Sequence, residues 1–171
     1  PLRFFDGFHH PMEPDFQFFP GKPHFSLCES RISPVENYFQ MDFTPKAVNV
    51  LSNLALAHLG DGVFSLLCRA YLCKKGDKSV KRLHLDSIAL VKAPTQAAFA
   101  EKILPGLTEA EADYYRRGKN AHTHAAPKSA SPREYAMATG LECLFGALYL
   151  LGENDRINEL FNLGMEALYG I

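Results

Sequence analysis

The chain has 171 residues, of which 47% are hydrophobic, and a formal net charge of −1 at pH 7. This length supports a core for one or two small domains and excludes an elaborate multidomain enzyme. The balanced charge argues neither for nor against a polyanionic partner, and the longest apolar stretches are too short or too often interrupted by charge to span a bilayer.

Residues 1–40 differ in kind from the rest of the chain. They hold eight of the 13 phenylalanines and six of the 11 prolines, and proline at this density interrupts helices and central strands. We interpret them as a leader outside the domain, which we place at residues 41–171. The expected start is Val35 or Met41, so that residues 1–34 need not be native. Three histidines of the leader lack the spacing of metal ligands: His9, His10 and His24.

From Thr44 onward the pattern is helical. Thr44 before a proline is a helix N-cap followed by proline at the first helical position, which predicts a helix over residues 45–59. An apolar stripe predicts a second helix over residues 62–74, closed by Gly76. A third helix is expected over residues 81–91.

The second half of the chain carries further helix signals. One helix begins after Pro94. Capping boxes, in which a Ser or Thr is followed three residues later by Glu, mark helix starts at Thr108 and Ser131. The last two helices are expected over residues 132–151 and 154–169. Because no segment alternates with the period of a strand, the predicted class is all-α.

The four cysteines contain no C-x-x-C pair, and three of them lie in apolar helical sequence, where a reduced cysteine behaves as a small hydrophobe. We therefore expect a reducing, cytoplasmic environment. The four cysteines are Cys28, Cys68, Cys73 and Cys143.

Two acids stand nearly alone in the most apolar segments, Asp61 in LALAHLGDGVF and Glu142 in TGLECLFGALYLLG. Taken separately, Asp61 fits an N-cap for a helix that starts at Gly62, and Glu142 fits a salt bridge to Arg69. Taken together, they fit two helices that pack side by side and bring both carboxylates to one Mg²⁺ ion, whose charge offsets their burial. A Mg²⁺ ion held by few protein groups suits a phosphate substrate.

The segment RRGKNAHTHAAPKSAS, between two predicted helices, is rich in hydrogen-bond donors and contains no acid. It is either a solvated loop or a phosphate-binding arm. Gly118 and Asn120 favour the arm, since they permit close approach of the backbone to a partner. We interpret His122 and His124 as exposed side chains without a metal. A second basic cluster covers residues 69–82.

These motifs resemble a known family. LALAHLGDGVF resembles the L-G-D-A-V signature of ribonuclease III catalytic domains, and TGLECLFGALYLLG resembles their E-A-L-I-G-A-L-Y-L helix. RRGKNA resembles the R-G-R-N-A loop of the small bacterial Mini-ribonuclease 3 branch, which lacks a double-stranded RNA-binding domain. The resemblance covers residues 41–168. Four positions depart from wider family patterns: Ala57 and Thr139 replace acids of the larger enzymes, Ser65 replaces a common Glu, and Pro94 replaces a common Lys.

The resemblance implies the ribonuclease III helical fold, a two-fold homodimer and a Mg²⁺-dependent endoribonuclease that cleaves double-stranded RNA in the maturation of ribosomal RNA (23S precursor). Asp61 and Glu142 would be the catalytic residues and metal ligands. No membrane or DNA partner is expected. The implied RNA-binding residues are Arg116, Arg117, Lys119, Asn120 and Lys128.

Three alternatives remain open from the sequence. The first is a non-catalytic module of the same fold that binds structured RNA. The second is an unrelated helical, metal-dependent hydrolase of nucleotides. The third is a purely structural helical dimer.

Overall fold

The structure is a computed structural model that describes residues 37–121 and 130–170. The predicted leader, apart from residues 37–40, lies outside the described residues, as do His122, His124 and Lys128. The described residues are helical and contain no strand, so the predicted all-α class is confirmed. No helix in this part of the chain is long and apolar enough to cross a membrane.

Seven α-helices make up the described part of the domain, with a short 3-10 turn at Leu104–Gly106 between the fourth and the fifth. The helices are α1 Pro45–Val50, α2 Asn53–Lys74, α3 Val80–Val91, α4 Ala93–Ile103, α5 Glu109–Lys119, α6 Pro132–Leu150 and α7 Asn154–Tyr169.

The prediction of separate helices over residues 45–59 and 62–74 is wrong. The break falls earlier, where the hydroxyl of Ser52 accepts the backbone N–H of Ala55 and caps a new helix. From there α2 runs without interruption through Gly60, Asp61 and Gly62 to Lys74. Gly76 follows two residues after its end, with a φ of 121° that favours glycine. Asp61 is therefore inside a helix and is not an N-cap.

The other helix predictions are confirmed to within two residues. Both capping boxes are present, with Thr108 paired to Glu111 and Ser131 paired to Glu134. Glu111, which is buried, also forms an ion pair with half-buried Arg156 of α7, with 2.8 Å between Oε1 and Nε. The pKa of Glu111 is lowered, mainly because Arg156 donates to its carboxylate. This pair joins the start of α5 to α7.

Helix α6 lies at the centre of the domain, packed against α2, α4, α5 and α7. Twelve of its 19 residues are buried, as expected of a helix that is apolar on all sides. Beside it, aromatic rings from α2, α4, α6 and α7 meet edge to face, with centroids 5.2 to 5.9 Å from the ring of Phe64. This core fixes α2 against α6, the two helices that carry the lone acids.

Candidate active site

The crossing of α2 and α6 is a contact between backbones. A β-carbon at Gly60 would overlap the carbonyl of Glu142, and one at Gly146 would overlap the carbonyl of Leu56. Only glycine at these two positions allows the helix axes to come so close. The crossing therefore holds the turn of α2 that carries Asp61 against the turn of α6 that carries Glu142.

The two carboxylates occupy different environments at this crossing. Asp61 is exposed, whereas Glu142 is partly buried. Burial raises the pKa of Glu142 to about 7, with a further increase from the negative charge of Asp61 and an opposing effect from the side chain of Gln96. The two acids are thus close enough to repel each other, and the structure brings together the pair that the sequence singled out.

Neither separate interpretation of the acids agrees with the structure. Asp61 lies mid-helix, and Arg69 donates to the hydroxyl of Ser65 over 2.7 Å instead of pairing with Glu142. Within residues 37–121 and 130–170, no Lys or Arg forms an ion pair with either acid. Their negative charge is therefore not balanced by the described part of the chain.

The donor set fits a hard divalent cation. Carboxylate oxygens are the ligands that Mg²⁺ prefers, and Mg²⁺ often binds one or two carboxylates and keeps several waters. Among the described residues no group of three or more His, Cys, Asp or Glu side chains is arranged for a metal. Thr139 adds no carboxylate, and its hydroxyl donates to the carbonyl of Tyr135. Waters and substrate oxygens would complete the coordination of an ion held by Asp61 and Glu142.

The basic segment begins inside α5 and not in the following loop. Arg116, Arg117 and Lys119 form its last turn. Gly118 packs against α6, since a β-carbon there would meet Cys143 and the carbonyl of Thr139. The close approach permitted by Gly118 is thus to α6, contrary to the interpretation that it serves a binding partner. It places the end of α5 beside the turn that carries Glu142.

Part of the positive charge on this turn is already paired. Asp113, one turn earlier, forms ion pairs with Arg116 and Arg117. Arg117 also donates to Asn49 of α1 over 2.9 Å and lies 4.7 Å above the ring of Tyr114. The sequence reading missed Asp113 because it considered the segment after residue 114, although the i, i+3 and i, i+4 spacing was visible.

Two further residues of the predicted RNA-binding set present their polar groups to solvent. Lys119 and Asn120 are exposed, and their side chains form no hydrogen bond or ion pair with the described residues. Sequence reasoning also missed Gln96 of α4, which is 1% exposed and whose amide lowers the pKa of Glu142 against the effect of burial.

The Ribonuclease III domain matches residues 54–153, more than half of the chain. The Mini-ribonuclease 3 of Symbiobacterium thermophilum is 46% identical over 110 residues, which cover 64% of this chain and 85% of that protein. The Mini-ribonuclease 3 of Clostridium tetani is 37% identical, over 71% of this chain and 82% of that protein. The chain belongs to the Mini-ribonuclease 3 branch of the ribonuclease III family.

A solved structure agrees with this membership. The crystal structure of a Fusobacterium nucleatum protein superposes with a TM-score of 0.62 at 34% identity, covering 68% of this chain and 89% of that one. As a member of this branch, the chain is an endoribonuclease, and the three alternatives left open by the sequence, including the non-catalytic RNA-binding module, do not agree with this membership. Asp61 and Glu142 both lie within the matched residues.

In the absence of divalent cations, we expect the raised pKa of Glu142 to make the stability of the fold depend on pH. Unfolded Glu142 titrates near 4.5 and folded Glu142 near 7. A raised acid pKa weakens the folded state as pH increases, so stability falls between about pH 4.5 and 7 and stays lower above that range. At about 1.4 kcal/mol per pKa unit, the free energy of unfolding decreases by up to roughly 3 kcal/mol.

Urea unfolding in EDTA from pH 4.5 to 8.5, compared between the wild type and Glu142→Gln, measures this effect. We expect the decrease to be absent from the variant and to be reversed in the wild type by Mg²⁺ at pH 8. Glu111 and Glu134 have lowered pKa values, so their contributions are lost at lower pH and are common to both proteins. Parallel profiles of the two proteins would contradict the expectation.

Proposed function

We propose that this chain cleaves double-stranded RNA in a Mg²⁺-dependent reaction, with Asp61 and Glu142 as the catalytic residues that hold the cation. The observation that supports this most strongly is the meeting of the two acids at the α2–α6 crossing, without a balancing cation from the described residues. An unbalanced pair of carboxylates beside a phosphate substrate is favourable only with a bound cation.

Asp61 and Glu142 have different surroundings and different proposed roles. Exposed Asp61 would face solvent and substrate, whereas partly buried Glu142 is carried by the central helix α6. A bound magnesium ion supplies an activated water and stabilises negative charge on the phosphate. Attack of water on phosphorus, with the ribose 3′ oxygen leaving, yields a 5′-phosphate and a 3′-hydroxyl.

The end of α5 supplies groups that hold the RNA. Lys119 and Asn120 are free to contact phosphates and 2′-hydroxyls, the groups through which proteins recognise A-form RNA by shape. Arg116 would also contact the RNA backbone, and Arg117 would stabilise the last turn of α5 and add positive charge. Lys128, which lies outside the described residues, is proposed as a further contact. These five residues form the proposed RNA-binding set.

One small domain covers little of a duplex. We therefore propose an isologous homodimer, in which two-fold symmetry places one active site near each RNA strand. The proposed role is the maturation of ribosomal RNA (23S precursor) in the cytoplasm.

A cleavage assay tests the reaction. The substrates are a blunt RNA duplex, each of its single strands and a DNA duplex of the same sequence, incubated with Mg²⁺ or with EDTA. We expect only the RNA duplex to be cut, only with Mg²⁺, and into fragments with a 5′-phosphate. Binding of the duplex without cleavage at any Mg²⁺ concentration would instead support the non-catalytic RNA-binding module.

Lys119 and Arg117 should respond differently to truncation. Lys119→Ala removes a positive charge that has no ion-pair partner among the described residues, so we expect weaker duplex binding. The slope of log affinity against log salt concentration should become shallower by roughly 1, and the melting temperature should not change. Arg117→Ala also removes contacts to Asn49 and Tyr114, so its melting temperature should fall.

The binding measurements use fluorescence anisotropy at several salt concentrations, with Lys102→Ala as the control. Lys102 is an exposed lysine of α4, and its loss should leave the slope unchanged. Equal slopes for the Lys119 and Lys102 variants would remove Lys119 from the RNA-binding set.

A further inference from the structure

The second basic cluster, residues 69–82, is a sequence motif that the proposed function leaves unused. It holds six basic residues and one acid. Three of its cations already interact within the fold, through ion pairs of 2.9 Å with Asp86 or above the ring of Tyr71. These three are Lys75, Lys78 and Arg82. The fold itself therefore accounts for half of the positive charge in the cluster.

Arg69, on α2, differs from these residues in its partner. Its Nη1 donates to the hydroxyl of Ser65 over 2.7 Å, and a hydroxyl brings no charge to balance the guanidinium. Arg69 is exposed and forms no ion pair within residues 37–121 and 130–170. Because a guanidinium has five N–H donors, this single bond leaves most of them available to a ligand. Arg69 is thus an oriented positive charge without a counter-charge.

The hydrogen bond to Ser65 directs the guanidinium toward the acid pair. Asp61, Ser65 and Arg69 follow one another at intervals of four residues along α2, so they are neighbours on successive turns of the helix. Long helical side chains point back toward the helix N-terminus, and Ser65 holds Arg69 in that direction. At about 1.5 Å per residue, Ser65 is about 6 Å along the axis from Asp61. The charge of Arg69 therefore lies about one turn from the proposed cation site.

We propose that Arg69 binds a phosphate of the RNA duplex next to the one that is cleaved. The inference rests on the function proposed above and adds a contact from α2 to those from α5. A phosphate suits Arg69 because it accepts two parallel hydrogen bonds from a planar guanidinium. It also supplies the counter-charge that the described residues lack, whereas a partner without negative charge would bury the guanidinium unpaired, at a cost in free energy. Ser65 acts as a positioning residue, since its hydroxyl orients Arg69 and leaves its charge unbalanced.

Arg69→Ala tests the contact through the salt dependence of duplex binding. Fluorescence anisotropy with a blunt RNA duplex, at several salt concentrations and in EDTA to prevent cleavage, measures the affinity. We expect binding to weaken roughly tenfold. The slope of log affinity against log salt concentration should become shallower by roughly 1.

Two further arginine variants interpret this result. Arg69→Lys keeps the charge but cannot form the two parallel hydrogen bonds, so it should keep the slope and lose affinity. Arg82→Ala is the matched control, because Arg82 belongs to the same cluster but is paired with Asp86. Its loss should leave the slope unchanged.

A carboxylate at position 65 should remove the contact without harming the fold. In Ser65→Glu the new acid lies one turn before Arg69, the favourable order for an ion pair on a helix, so the melting temperature should stay equal or rise. The same ion pair would neutralise Arg69, so binding should weaken and the slope should become shallower, as in Arg69→Ala. Ser65→Gln has the same size without the charge, and the difference between the two slopes measures this neutralisation. A purely structural role of Arg69 predicts equal slopes for both.

The inference alone is overturned if Arg69→Ala keeps the wild-type slope while the wild type binds and cleaves the duplex. Arg69→Gln repeats the test with a longer neutral side chain. A wild type that neither binds nor cleaves duplex RNA would instead contradict the proposed function. Light scattering of the same variants covers a further outcome. If Arg69→Ala dissociates a homodimer, this side of α2 is an interface between two copies of the chain, and Arg69 is not a phosphate contact.

Discussion

Asp61→Asn and Glu142→Gln are each expected to abolish cleavage of duplex RNA while duplex binding is retained. Both substitutions keep the size of the side chain and remove one of the two charges that would hold the cation. Metal ions stabilise such transition states by several kcal/mol, so we expect cleavage to slow on the order of 10³-fold or more. Single-turnover cleavage at saturating protein measures the rate, and gel shift without Mg²⁺ measures binding.

Loss of negative charge near the RNA should strengthen binding in both variants, which separates a catalytic defect from misfolding. Asp155→Asn is the matched control, because Asp155 is an exposed acid in the first turn of α7. A rate within threefold of the wild type for either active-site variant would show that the acid pair is not catalytic, whatever the behaviour of the control.

The second large effect is expected at the helix crossing. Gly60→Ala and Gly146→Ala each place a β-carbon on the backbone of the facing helix, which cannot move as a flexible side chain could. Overpacked cores typically lose about 1 to 3 kcal/mol, and we expect a loss at or above the upper end because backbone must shift. Urea denaturation measures the loss, and Mn²⁺ affinity should fall as the acids move apart.

Gly62→Ala is the control from the same helix. A β-carbon there meets nothing within 4 Å, so the substitution should stabilise α2 by about 0.5 to 1 kcal/mol through helix propensity alone. Equal changes in the free energy of unfolding for Gly60→Ala and Gly62→Ala would contradict a close backbone contact at the α2–α6 crossing.

Local signals in the sequence were enough for most of the helices. The capping boxes at Thr108 and Ser131 are satisfied within four residues, so no tertiary contact is needed to recognise them. The apolar character of the segment that forms α6 agrees with its burial, since 12 of its 19 residues are buried. The association of Asp61 with Glu142 was inferred because each charge was out of place in its own segment.

The sequence misled where tertiary contacts override local preference. Gly-Asp-Gly at residues 60–62 is typical of a helix boundary, yet α2 continues through it because the close packing of Gly60 on α6 requires helical backbone there. The true break, at Ser52, depends on a single hydroxyl cap. The burial of Gln96 was not predictable, since the carbonyl to which its side chain donates belongs to another helix.

Asp61 and Glu142 are proposed to bind one divalent cation together. Crystals soaked in Mn²⁺, with anomalous diffraction measured at the manganese edge, test it most directly. We predict an anomalous peak about 2.0 to 2.3 Å from a carboxylate oxygen of each residue, the range of cation–oxygen ligand distances. Peaks that touch neither residue, or only one with the other turned away, would contradict the claim.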